Sequence, residues 1–234
     1  MTQFAEYQKL YKTVSDKDKN YDANRILHLF NIKLHLVLGI KDVVFDDNIA
    51  KVKTDEVRAC YVQLIKSTEM WNVFEALFEY AKTKHPLGSK DKKERKNVIE
   101  KMTESRELHV PEVMAVLASG FNELKHLCKE KSKFKKDFQG YLERVGSHDY
   151  ISSKSKTALK NIMESIEADN KEPYSDMLYL LYADRNLFYH TAEAVKMGMS
   201  YSNRLALMEL LYRMLADYIL AVMNNLLRQC RSGG

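Results

Sequence analysis

Apolar residues recur every three to four positions along most of the chain, the period of amphipathic helices with one buried side. Residues 3–14 carry Phe4, Tyr7, Leu10 and Tyr11. A second helix runs through Ile26, Leu29, Phe30 and Leu34 to a stop at Gly39, with Asp22 or Asn24 as its cap. A long helix opens at Asp55, which caps it, and shows Val57, Tyr61, Leu64, Ile65, Trp71, Phe74, Leu77 and Phe78 before Pro86–Leu87–Gly88 ends it. Within Lys41–Lys53, Lys41–Phe45 fits either a turn of helix or a short strand. A short charged helix is expected from Ser89 to about Glu107, and Pro111 opens another that reaches about Glu130. Beyond it Lys alternates with Phe134, Phe138 and Tyr141, whose helical spacing favours packing inward over stacking on bases, and Ser152–Ile166 is again amphipathic. The pattern predicts an all-α fold class, a helical bundle in one domain over residues 1–234.

Two stretches break the pattern. Asn203–Arg228, capped by Ser202, is apolar on nearly every side, leaving one stripe of Glu209, Arg213 and Asp217 that can pair at i, i+4. Such a helix is either central to the core or half of a dimer seam. Met177–His190 is an apolar run cut by Asp184, Arg185 and Asn186, with Pro173 suited to its first turn and Gly198 to its stop. A charge inside a buried helix costs several kcal/mol unless it is paired or faces a wet cleft. The three polar residues therefore predict a helix interrupted for a chemical reason.

Composition narrows the class. The 234 residues are 45% hydrophobic and 29% charged, with 8 Gly and 3 Pro, as expected of a helical globular protein. Cys60, Cys128 and Cys230 fit no disulfide or zinc spacing and read as reduced thiols, and no run is long enough to span a membrane, so a cytoplasmic protein is expected. His28 and His35 lie seven apart without a third ligand, and read as solvated or hydrogen-bonded rather than metal-binding. Of the net charge of +5, the segment 84–136 holds 14 Lys+Arg against 8 Asp+Glu, or +6. That surplus suits either a polyanion or a solvated helical face. No phosphate-binding glycine loop, paired zinc histidines or nucleophile elbow is present.

What is left is Arg185, Asn186 and His190, in the order R-N-x-x-x-H. RNA cleavage by the adjacent 2′-hydroxyl needs proton transfer and positive charge on the phosphorane. Histidine titrates near neutral pH, arginine offers a fixed fork to phosphate oxygens, and asparagine can orient the imidazole or hydrogen-bond the phosphate. In a regular helix, positions 186 and 190 are about 40° apart but 185 and 190 about 140° apart, so one straight helix does not aim both at one phosphate.

The arrangement resembles the signature of the HEPN superfamily, all-helical proteins whose active members are ribonucleases that need no metal. The likeness covers Asp176–Leu227, with the motif in a late helix followed by one more long helix; residues 55–85 look like an early family helix. It implies an HEPN-like core over 55–234, containing the basic segment 84–136, with additional N-terminal helices over 1–54. It also implies catalytic Arg185, Asn186 and His190, no cofactor or metal, RNA as substrate, a homodimer, and a toxin or antiviral defence role with an antitoxin or regulatory partner. Ala192 stands where some family toxins carry a tyrosine that a partner enzyme modifies, so that control is not expected here. The rival is a non-catalytic helical RNA-binding or protein-interaction module.

Overall fold

Helix starts in this chain are set by side chains that take up otherwise orphaned backbone N–H groups. The computed structural model describes residues 2–16, 20–43, 54–85, 101–103, 105, 108–168, 173–190 and 198–232, and at 2, 188–190 and 232 the backbone alone. These residues form α1 (Thr2–Ser15), α2 (Tyr21–Gly39), α3 (Asp55–Lys84), α4 (Pro111–Glu130), α5 (Ser132–Ser147), α6 (Ser153–Ala168), α7 (Asp176–His190) and α8 (Tyr201–Ser232). No strand occurs among the described residues, so the fold is all-α. Most of the Ser89–Glu107 helix and Lys41–Lys53 beyond Val43 lie outside them, as do Ala192 and much of the basic segment.

The helices match the apolar period closely, whereas two caps differ from expectation. Asn20, not Asp22 or Asn24, accepts the Ala23 N–H at 3.1 Å, and Thr54, not Asp55, accepts the Val57 N–H at 3.3 Å. Asp55 and Glu56 sit instead in the first turn, where a negative charge suits the helix dipole.

The chain gathers into two compact units. The first comprises Met1–Gly39, Glu69–Val116 and Leu215–Gly234. Within it α1 lies against α2 through aromatic residues: Tyr7 donates to Asn31 Oδ1 at 3.0 Å and stands edge-on to Phe30. His28 Nδ1 lies 2.6 Å from the Tyr11 hydroxyl, and His35 packs edge-on to Phe4, so both histidines serve the α1–α2 contact. Trp71 and Phe74 are buried 4.8 Å apart, and Phe74 meets Tyr218, a core placement as the spacing indicated. Tyr61 of the second unit, counted on the apolar side of the same helix, is exposed.

The second unit comprises Ile40–Thr68 and Leu117–Met214. Phe134, Phe138 and Tyr141 stack in a buried row on α5, so the aromatics between the lysines face the core and not solvent. Gly120 lets α4 approach α8: a Cβ there would meet Met214 Cγ at 2.8 Å and collide with its sulfur. Cys60 and Cys128 are buried, Cys230 of the first unit is half-buried, and all three are free thiols.

One expectation changes at this point. α7 runs unbroken through Asp184, Arg185 and Asn186, so these residues do not interrupt it. The apolar excess of α8 is consumed within the chain, since Leu207, Met208, Leu211, Ile219, Met223 and Leu226 are all buried. That helix is central to the packing of the chain. Its exposed Arg213 forms an ion pair with Glu123 of α4, a partner outside its own stripe. No helix among the described residues is long and apolar enough to cross a membrane.

Candidate functional site

The charge in the middle of α7 is explained by an arginine on another helix. Asp184 is 8% exposed, and its Oδ1 lies 2.7 Å from Nη1 of Arg204, which is 1% exposed near the start of α8. Tyr141, from α5, donates its hydroxyl to the same oxygen at 2.7 Å, and the Arg204 guanidinium lies 5.1 Å over the Tyr141 ring. The Asp184 carboxylate, a neighbour to both, thus pairs with the guanidinium and accepts from the phenol, three groups from three helices away from water. Burial works to lower the Arg204 pKa, but the Asp184 carboxylate and Tyr141 outweigh it and raise it. Burial first, and then the neighbouring carboxylate, hold the Tyr141 hydroxyl well above the usual phenol range. Arg204 and Tyr141 are thus held in one protonation state, which suits a lock more than a proton-transfer site.

Arg185 and Asn186 occupy the next two positions. Arg185 is half-buried, and its Nη1 donates to Asn186 Oδ1 at 3.0 Å, while Asn186 is 5% exposed and Leu187 fully buried. Asn186, which the sequence suited to orienting the imidazole or hydrogen-bonding the phosphate, here uses its amide oxygen to accept from the guanidinium. α7 is described to His190, of which the backbone alone is given, so contacts of that imidazole lie outside the described residues. Helical register alone keeps position 190 about 140° from Arg185. The structure therefore brings Arg185 and Asn186 into contact, and ties the residue before them to the core.

A second polar cluster marks the start of α8. One oxygen of Asp137, on α5, accepts from the Ser200 N–H at 3.0 Å, the Ser200 hydroxyl at 3.1 Å and Asn203 Nδ2 at 2.8 Å. The carboxylate caps a neighbouring helix from outside it, and Ser200 replaces the expected Ser202 at the helix start. Just before it, Gly198 has φ +81°, a left-handed conformation natural to glycine. Burial opposes charge on Asp137, but the Ser200 amide, the Asn203 side chain, the Ser200 hydroxyl and Lys133 outweigh it, leaving the carboxyl below its usual range. A depressed folded-state pKa contributes stability above the unfolded value of about 3.9, and that contribution fades as pH falls through the folded value. Asp137→Asn should therefore lower the urea midpoint at pH 7, and the deficit should shrink as the pH is taken below about 3.9. An equal deficit at both ends of that range would show that the charge of Asp137 is not what clamps α8.

Sequence placed Tyr141 only as a core aromatic, and did not single out Arg204 or Asp137. Arg204 carried a readable signal: it shares a helical face with Leu207 and Leu211, both buried, so a cation there needs an acid, and Asp184 needs a cation. Set beside known proteins, the chain matches no family model, no curated protein and no solved structure.

Proposed function

We propose that this protein is a metal-independent endoribonuclease of HEPN type, with Arg185 and His190 acting on the scissile phosphate and Asn186 holding Arg185. The observation that carries the reading is the Arg185–Asn186 contact on α7: a half-buried guanidinium fixed by a buried amide, beside an aspartate already committed to Arg204. A fork held in this way meets phosphate oxygens at less entropic cost than a mobile one. Under this reading His190 transfers the proton and Arg185 stabilises the phosphorane. The 140° between the two positions is resolved by a homodimer in which one copy supplies the arginine and the other the histidine. A toxin or antiviral role, with an antitoxin as partner, belongs to the same proposal.

Incubating purified protein with end-labelled RNA in excess EDTA tests the activity. Cleavage is expected, with products that end in a 2′,3′-cyclic phosphate or its hydrolysed form and begin with a 5′-hydroxyl, because the nucleophile is the substrate's own 2′-hydroxyl. RNA carrying a 2′-deoxy nucleotide at the cut site should stay intact, and its cleavage would sink the mechanism. Binding without cutting would favour the non-catalytic RNA-binding rival.

A further inference from the structure

Buried side chains run all the way round α7. Met177, Leu178, Leu180, Leu181, Ala183 and Leu187 are buried, and so are Asp184 and Asn186. Among its described side chains, Asp176, Tyr179, Tyr182 and Arg185 are half-buried and none is exposed. At 100° per residue the buried positions leave no gap wider than about 80° of circumference. A helix with one apolar stripe has a single rotation that buries it. α7 has no such preference, because several rotations bury nearly the same area. Apolar packing of the right size secures folding before it secures one unique arrangement. The setting of α7 is therefore chosen by something other than apolar burial.

Among the described side chains of α7, Asp184 is the one buried charge. Its Oδ1 takes both Nη1 of Arg204 and the Tyr141 hydroxyl, each at 2.7 Å. These partners are themselves fixed. Tyr141 and Asp137 stand one turn apart on one side of α5, and Asp137 holds the start of α8 through Ser200 and Asn203. At its own start α7 is tied to α6, where the Asn161 amide donates to Asp176 at 2.9 Å. The Asp184 contacts lie about 12 Å further along the axis. Turning α7 by about 20° would move a carboxylate about 5 Å from the axis by about 2 Å. The two donors come from different helices, so no such shift keeps both bonds. The same turn carries the longer Arg185 side chain through about 3 Å, whereas a misplacement of about 1 Å already costs a catalytic group much of its effect.

We propose that Asp184 is a positioning residue: with Arg204 and Tyr141 it pins the rotation of α7, and so sets where the Arg185 guanidinium stands. That this placement serves a phosphate rests on the ribonuclease reading, whereas the pin itself does not. Apolar residues of similar size can replace a buried ion pair without loss of stability. What they do not supply is a direction.

The combined variant Arg204→Met, Asp184→Leu and Tyr141→Phe separates the two roles, read first without RNA. Arg185 Nε is buried, which slows exchange of its proton and favours a magnetic resonance signal from isotope-labelled arginine. The signal is assigned by its loss in Arg185→Ala. The wild type should give one sharp Arg185 signal, and a split one there overturns the proposal. The combined variant should keep its helical circular dichroism and a urea midpoint near that of the wild type, yet split or broaden the signal. On RNA its kcat should fall by about tenfold or more, with KM changed by no more than about twofold. A pair that only stabilises would leave the signal of a stable variant unchanged, and that result overturns the proposal. Should the combined variant not fold, Arg204→Lys keeps a cation for Asp184 without the planar fork. It should broaden the Arg185 signal in folded protein, and an unchanged signal there is equally fatal. A wild type with one sharp Arg185 signal, a combined variant with a broadened one, and no cleavage of RNA would sink the ribonuclease reading and leave the pin standing.

Discussion

Arg204→Ala is expected to cost about 3–5 kcal/mol of folding stability, the penalty of leaving a buried charge without its partner. Single domains hold only about 5–15 kcal/mol in total, so the variant should be marginal at 37 °C. The cause is specific. Removing the guanidinium leaves Asp184, at 8% exposure, with the Tyr141 hydroxyl as its hydrogen-bond partner among the described residues. The companion experiment removes all three polar groups together: Arg204→Met, Asp184→Leu and Tyr141→Phe combined should recover most of the loss, because apolar residues of similar volume often replace a buried ion pair without penalty. Urea denaturation measures both. A cost below about 1 kcal/mol for Arg204→Ala would mean that the pair is not buried as described.

The other large effect concerns catalysis. Arg185→Ala and His190→Ala should each reduce RNA cleavage by about 10²–10⁴, the range for losing a proton-transfer group or an oxyanion-stabilising contact. Stability should change little beside the Arg204 variant, since Arg185 is only half-buried. If both variants cut RNA at the wild-type rate, Arg185 and His190 are not the site. Mixing the two inactive chains separates a one-chain from a two-chain site. Refolded together, they form heterodimers in which one chain has the intact arginine and the other the intact histidine. Partial activity in the mixture is the expected result. Its absence, with mixed dimers shown to form, would place both residues on one chain.

The helices were legible because helical period survives in sequence, and Trp71, Phe74 and the α5 aromatics were placed in the core on that basis. Period does not tell how wide the buried stripe is. Leu29 was counted with the apolar side of α2, yet stands 48% exposed at its edge, and the face that continues through Ile32 and Leu36 went unread. The polar triplet of α7 was recognised as costly, which was sound physics, but the expected break in the helix is absent. What satisfies Asp184 is a residue 20 positions later, and pairing across helices leaves no local signature. The caps failed for a similar reason: Asn20 and Thr54 each sit just outside the apolar repeat, where several neighbouring polar residues look equally suited. For α8 the cap was not local at all, being contributed by Asp137.

That clamp also sets the direction in which α8 opens. A long helix frays where its terminal groups exchange with water, and opening free energies run from near zero at loose ends to the global value in the core. The first turn of α8 is held through three donors by a carboxylate on α5 and, one turn on, by the buried Arg204. Past the buried Leu226 and Leu227, the final turn carries exposed contacts, Arg228 with Glu6 and His85 with Gln229. Amide protons near Cys230 should therefore exchange sooner than those in the turns beginning at Arg204, where the N–H groups are bonded within the helix. That is a gradient running backward along the helix, opposite to the order in which the ribosome makes it.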